Sequence, residues 1–381
     1  MRVCIGSAGR FHTFDLARQM ERAGWLSRLY TAYPRWKVDG LPRDKVRSFP
    51  WLMGPTMLLG RWGFHGLERC LNRLTVKSFD RWMANRLEPC DVFHCLSSFG
   101  LRSHRIAKER YGALTVCDRG SSHIAFQDEI LAEEYRRWGI PYQPIDRALV
   151  DRELQEYKEC DLIFVPSTFV YRSFVQQGVP EAKLRKISYG VDLRMFRPMP
   201  KSDDVFRVIY VGALSMRKGI PYLLEALSSV SLPKLELWLI GAVQPEIKPF
   251  LAKYEGKFRC FGEIPRAELH RYYSQASVFV IASIEEGLAL VQAQAMACGI
   301  PVIATHNTGA EDLFTDGVEG FIVPIRNADA IRDRLLQLYH HPDQLLEMAK
   351  AALHRVQLLG GWDTYGQRVI SCYQEAVMAT V

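Results

Sequence analysis

Nowhere in the 381 residues does an apolar run approach the roughly 18 consecutive residues that a membrane-spanning helix needs. The chain also lacks a Cys-x-x-Cys pair, an Asp-x-Asp pair, a low-complexity tract and a repeat of solenoid length. These absences argue against a zinc ribbon, a dithiol redox motif, a carboxylate-pair metal site and a stacked-repeat architecture. The nine cysteines are odd in number and scattered through apolar stretches such as Val116-Cys117 and Ala297-Cys298. They read as buried free thiols in a reducing compartment. Residues 1–6 run straight into a strand pattern rather than a signal peptide, so the expected location is the cytoplasm, or a membrane met from its cytoplasmic side.

What is present is the composition of a globular protein, 48% apolar and 24% charged. The length suggests two domains, each able to bury its own core. Charge is uneven: residues 1–90 carry 16 Lys and Arg against seven Asp and Glu, so the net +7 comes from this end alone. Short apolar runs (Val3-Cys4-Ile5-Gly6, Asp91–His94, Ala113–Cys117, Leu162–Val165) alternate with amphipathic helical patterns. The alternation stops at Pro198–Asp204, the expected linker, and restarts at Val208–Val211. The reading is α/β: two doubly wound, Rossmann-like domains, at 1–197 and 205–365, with a C-terminal helix at 366–381 returning to the first. Such domains present a cleft at the carboxyl ends of both sheets.

Three clusters carry the chemistry. In the stretch from Ile284 to Pro301 a buried strand turns at Glu286-Gly287 into a helix that Gly299 closes, leaving the helix start aimed at an anion. Glu286 stands where a carboxylate can accept from vicinal hydroxyls, and Gln294 lies about two turns further on, near the same face. In Val211–Gly219 another strand ends at Gly212, which allows close backbone approach, and Arg217 and Lys218 supply two cations suited to a diphosphate. In Thr305–Glu311 a third strand opens into a loop around Gly309.

In this order and spacing the clusters resemble family 4 of the retaining glycosyltransferases, whose fold is the GT-B pair of Rossmann-like domains. The likeness covers nearly the whole chain, including the glycine loop Gly6–Gly9, the stretches Glu159–Ser167 and Ile187–Asp192, and residues 211–324. The resemblance implies transfer of a sugar (EC 2.4) from a nucleotide diphosphate donor to a saccharide or lipid-linked acceptor of cell-envelope or extracellular polysaccharide. It implies that Lys218 neutralises the diphosphate, Glu286 touches the donor sugar, Gln294 grips the ribose, and Gly287, Leu288 and Ala289 hold a phosphate. Gly9, Arg119, Gly212, Arg217 and Gly309 complete the expected donor site, with His123 reaching the sugar from the first domain. Two departures stand out: Ala213 replaces the family's usual Arg, and Gln294 its second Glu, which weakens a ribose contact by about 1 kcal/mol. Arg217 is placed to supply the missing cation. No cofactor and no metal are expected, and the departing phosphate oxygen takes the acceptor's proton. A donor-binding protein without catalysis, motivated by the two departures, and a nucleotide-sugar epimerase on the same fold are the alternatives.

Residues 34–86 are basic and aromatic, from Arg35-Trp36-Lys37 through Phe49–Trp62 to Arg86. This suits the interface of an anionic membrane, or equally a core segment with a solvated basic face. Nucleic acid is not expected, because the aromatics cluster with aliphatics rather than alternating with cations.

Overall fold

The computed structural model describes residues 1–49 and 65–379. A seven-stranded sheet comprises β1 (Val3–Ser7), β2 (Leu26–Thr31), β3 (Val46–Ser48), β4 (Val92–Leu96), β5 (Leu114–Asp118), β6 (Leu162–Val165) and β7 (Leu184–Lys186), in the order β3-β2-β1-β4-β5-β6-β7. A six-stranded sheet comprises β8 (Phe206–Val211), β9 (Leu235–Ile240), β10 (Arg259–Cys260), β11 (Val278–Ile281), β12 (Val302–Thr305) and β13 (Gly320–Val323), in the order β10-β9-β8-β11-β12-β13. Every pairing within the two sheets is parallel. Helices cover both faces, which is why the inner strands read as continuous apolar runs: β1, β4, β5, β8, β11 and β12 are buried along their whole length. In each sheet the strand order reverses beside the first strand, β1 or β8, and the loops leaving the carboxyl ends there form the binding crevice of such folds.

Helix His12–Arg22 turns Phe14, Leu16, Ala17 and Met20 onto the first sheet. The last helix, Trp362–Met378, lies beside it and adds Tyr365, Val369, Cys372 and Tyr373 to the same core. The chain therefore returns to its first domain, and it does so at Gly360-Gly361, a few residues before the expected boundary. The outward crossing also differs from expectation. Residues 198–204 are not a free linker: Met199 N–H donates to Ser274 Oγ, Ser202 donates to Gln275 Oε1, and Asp203 pairs with Arg207 at 2.9 Å, all on the second domain. Val191 and Phe196 are already in the second core. The change of domain falls at Gly190, where a Cβ would lie 2.4 Å from the Gly361 backbone. The two crossings thus touch through bare backbone. Polar, proline-rich residues marked an exposed segment correctly, but exposure alone does not make a segment a hinge.

The domains meet over a broad contact. The helix Ile124–Arg137 of the first domain leads to Trp138, whose ring packs on Tyr222 and Phe250 of the second at 5.4 and 5.1 Å. Arg326 reaches back to Glu134 and Glu133 at 2.7 and 2.8 Å. Among the described cysteines, Cys260 on the edge strand β10 is exposed and the others are buried.

Candidate functional site

The loop after β11 carries Glu285 and Glu286 to the carboxyl edge of the second sheet, and the turn after β8 brings Arg217 and Lys218 beside them. Arg217 Nε lies 2.8 Å from Glu285 Oε2, its NH2 lies 3.9 Å from Glu286 Oε2, and Lys218 pairs with Glu286. Burial and the neighbouring Arg217 charge push the Lys218 ammonium down to about 7, with Glu285 opposing. Two cations and two carboxylates thus share one corner, where an arriving polyanion would compete with Glu285 and Glu286 for Arg217 and Lys218.

Glu285 faces the other domain. It is fully buried, accepts from Ser122 N–H at 2.9 Å and Ser122 O–H at 2.7 Å, and takes Gln127 Nε2–H at 2.9 Å. Burial alone would raise its pKa, but Arg217 and the Ser122 hydrogen bonds hold it below the usual carboxylate range. Beside it the two domains come into backbone contact. A Cβ on Gly287 would fall 1.8 Å from the Gly120 carbonyl oxygen, and one on Gly309 would fall 2.7 Å from Leu288 Cδ1 and 2.9 Å from Ser167 Cβ. Ser167 Oγ–H donates to the Gly287 carbonyl at 2.6 Å. Glycine is needed at 287 because no side chain fits between the domains when they are closed.

Several expected donor contacts are committed elsewhere. The Ala289 amide, expected at a phosphate, donates to the Thr308 carbonyl at 3.1 Å. Gln294 Oε1 accepts from Tyr273 O–H at 3.3 Å inside the second domain. Gly212 sits at φ +147° at the end of β8, as close backbone approach requires, and its N–H donates to the Ile240 carbonyl. Gly9 is buried in the loop after β1, where its carbonyl accepts from Ser7 Oγ–H at 2.9 Å.

Two first-domain expectations need correction. The His123 ring turns inward between Tyr157 and Phe174, at 5.1 and 5.0 Å, and burial followed by the Arg119 charge lowers its pKa to about 4. It is a neutral core histidine at a helix start, not a group facing Glu286. Arg119 bonds Glu153, Gln127 Oε1 and the Ser122 carbonyl at 3.0, 2.8 and 3.0 Å, so it braces the 119–123 loop instead of presenting a free cation. The polar groups at the cleft base are ones that sequence reasoning missed. Asp118, the last residue of β5, accepts from His12 Nε2 at 2.5 Å and from His94 Nε2 at 2.9 Å, and Tyr373 O–H donates to His94 Nδ1 at 2.8 Å. The one available signal was a histidine opening the helix that follows the first glycine loop.

A cavity of about 720 Å³ lies to one side of this cluster, between Arg10, Arg18 and Arg22 on the first domain, Val191–Met195 and Gly361–Thr364 at the crossings, and Arg266 on the second. Among the described residues no group of three His, Cys, Asp or Glu is placed to hold a metal ion, and no helix is long and apolar enough to cross a membrane. Much of the basic aromatic segment, residues 50–64, lies outside the described residues. Of its described part, Trp36 is exposed, and Arg35, Arg47 and Arg86 line a hollow beside Trp82.

Residues 193–355 match the family model described as glycosyl transferases group 1. A D-inositol 3-phosphate glycosyltransferase of Kribbella flavida is 30% identical over 223 residues, 52% of this chain, and the match spans only 52% of that protein's length. A putative glycosyltransferase, EpsD, of Bacillus subtilis is 28% identical over 66% of this chain and 68% of its own. Among solved structures, the sucrose-phosphate synthase of Thermosynechococcus elongatus superposes over 100% of both chains with a TM-score of 0.77 at 21% identity. HepE of Anabaena in complex with UDP-glucose superposes over 98% of this chain and 100% of its own with a TM-score of 0.66 at 15% identity. These two likenesses concern the fold, which is the GT-B arrangement of two Rossmann-like domains.

Proposed function

From the match of residues 193–355 to the glycosyl transferases group 1 model, we propose that the chain transfers a sugar from a nucleotide diphosphate donor to a saccharide or lipid-linked acceptor, with retention of anomeric configuration. The observation that carries this is the convergence of Arg217 and Lys218 with Glu286 at the carboxyl edge of the second sheet. Departure of the nucleoside diphosphate from the anomeric carbon leaves the bonding electron pair, and so negative charge, on the β-phosphate oxygen. Fixed cations in a water-poor site stabilise that charge without reorganising. Glu286 then faces the sugar that the diphosphate carries, and its carboxylate accepts from ring hydroxyls.

On donor binding Arg217 and Lys218, paired with Glu285 and Glu286 in the unliganded protein, turn to the diphosphate, and we read the reaction as metal-independent. The departing phosphate oxygen accepts the acceptor's proton as the new glycosidic bond forms on the face from which the old one breaks. The polar, ionic cavity between Arg10 and Arg266 is the proposed entry for the acceptor. HepE was solved with UDP-glucose and the Kribbella relative is named for an inositol phosphate, both consistent with this substrate class. Cell-envelope or extracellular polysaccharide synthesis, on a cytoplasmic membrane surface met through residues 34–86, is the proposed setting.

The test is a thermal-shift panel of UDP-, GDP- and ADP-sugars, with and without EDTA, on the wild type and on Glu286→Ala. One donor should raise the melting temperature, EDTA should leave the shift intact, and the variant should lose it. A wild type that binds none of the donors refutes the reading, and a shift abolished by EDTA refutes metal independence. A donor that binds yet is neither hydrolysed nor transferred identifies a binding protein without catalysis.

A further inference from the structure

The base of the cleft holds a second polar constellation that the donor site does not use. Asp118 is buried, and although burial would raise its pKa, the charge and hydrogen bond of His12 and the hydrogen bond of His94 hold the carboxyl well below the usual range. An ionised carboxylate only accepts, so both imidazoles must present N–H from Nε2. Tyr373 then donates to the free Nδ1 of His94, which completes that side. On the other side His12 Nδ1 has no hydrogen-bond partner among the described residues. A hydrogen-bonded chain from the last helix through β4 and β5 thus fixes the tautomer of one histidine at the domain boundary.

Next to His12 is Tyr189, stacked on it at 4.2 Å. The Tyr189 hydroxyl is buried and has no hydrogen-bond partner among the described residues. Burial keeps it protonated. A buried hydroxyl without a partner costs about 1–3 kcal/mol, so it calls for an explanation. Both groups converge on Gly120: a Cβ there would sit 3.4 Å from Tyr189 Oη, 3.6 Å from His12 Cε1 and 4.0 Å from His12 Nδ1. The carbonyl of the same glycine faces Gly287 of the second domain. A ring nitrogen and a donor hydroxyl therefore flank a space about one methyl group wide beside a residue without a side chain, at the line where the domains close.

We propose that His12 and Tyr189 form a subsite for one hydroxyl group of a sugar substrate, which hydrogen-bonds to His12 Nδ1 and accepts from Tyr189 O–H. Asp118, His94 and Tyr373 are positioning residues that act through His12. The proposal rests on the sugar-transfer reading above, and it goes beyond it by placing a hydroxyl contact on the first domain, on elements other than the loop that holds His123.

Tyr189→Phe is the decisive variant, because it removes an atom with no partner in the unliganded protein and should leave the melting temperature unchanged or slightly raised. His12→Gln keeps an N–H for Asp118 and loses the Nδ1 contact, whereas His12→Asn keeps a hydrogen-bonding group near Nδ1 and loses the Asp118 bond. We expect Tyr189→Phe and His12→Gln to raise the KM of one sugar substrate about five- to tenfold, with His12→Asn recovering part of the loss at the expense of stability. Donor hydrolysis without acceptor separates the sources: a raised donor KM assigns the hydroxyl to the donor sugar, and unchanged hydrolysis with impaired transfer assigns it to the acceptor. UDP, GDP and ADP alone should bind Tyr189→Phe as they bind the wild type, while Lys218→Ala should lose them. A wild type that binds no nucleotide overturns the sugar-transfer reading and the subsite with it. Normal nucleotide binding with unchanged donor and acceptor KM in both Tyr189→Phe and His12→Gln overturns the subsite alone.

Discussion

If Lys218 is the diphosphate cation, donor affinity must fall as pH rises, and by an amount that the structure sets. The unliganded ammonium titrates at about 7, because burial and Arg217 disfavour its charge. A bound diphosphate adds a more highly charged partner to Glu286 and returns the pKa toward the usual lysine range. The donor therefore binds the protonated form, and its Kd scales as one plus the ratio of neutral to charged lysine. Between about pH 6 and about pH 9 that factor grows about 90-fold, or about 2.7 kcal/mol, with a slope approaching tenfold per pH unit above 7. The diphosphate of a nucleotide sugar has no proton to lose in this window, so the slope belongs to the protein. Isothermal titration calorimetry across the range, in buffers of differing ionisation enthalpy, reads both the slope and the proton uptake. Lys218→Arg keeps a charge that does not titrate and should flatten the profile at a Kd near the low-pH wild-type value. A wild-type Kd that stays constant from pH 6 to 9, or an equal slope in Lys218→Arg, refutes the assignment.

Three further outcomes follow from the same geometry. Glu285→Ala removes a buried carboxylate that ties Ser122, Gln127 and Arg217 together, and should cost about 3 kcal/mol in urea unfolding, while Glu285→Gln, which keeps an acceptor for Ser122, should cost less. Gly287→Ala places a methyl group 1.8 Å from the Gly120 carbonyl, so the domains cannot close as they do here. Its small-angle scattering should report a larger radius of gyration, and turnover should fall by about two orders of magnitude as the catalytic constellation is left incomplete. Tyr373→Phe leaves His94 Nδ1 buried without its donor and should destabilise by about 1–3 kcal/mol in the same unfolding assay.

The parallel sheets were legible because strands buried on both faces are written as unbroken apolar runs, and the glycines and charged residues that follow mark their carboxyl ends. Arg217, Lys218 and Glu286 were singled out for that reason, and the structure brings them together at strand ends, where side chains of such folds meet ligands. His123 was misread because position after a strand does not give direction. The turn Arg119–Ser122, braced by Arg119 on Glu153 and Gln127, rotates the histidine into the Tyr157–Phe174 core. Glu285 was invisible beside Glu286, since two adjacent carboxylates in a loop look alike until the other domain supplies Ser122. His12 was missed because the residue that gives it meaning, Asp118, lies on a strand laid down more than a hundred residues later.

The last helix has a consequence for the birth of the molecule. Tyr365, Val369, Cys372 and Tyr373 fill the core of a domain whose sheet is complete in sequence by Lys186. At about 5–20 residues per second, the ribosome delivers that helix roughly 10–40 s after the final strand of the sheet it seals. By the time this helix emerges the second domain already has all its own strands and its core residues through Val356, while the first has waited with an open flank. Each missing apolar side chain withholds roughly 1.5–3 kcal/mol until the helix docks. The half of the protein that is made first is therefore the half that is finished last.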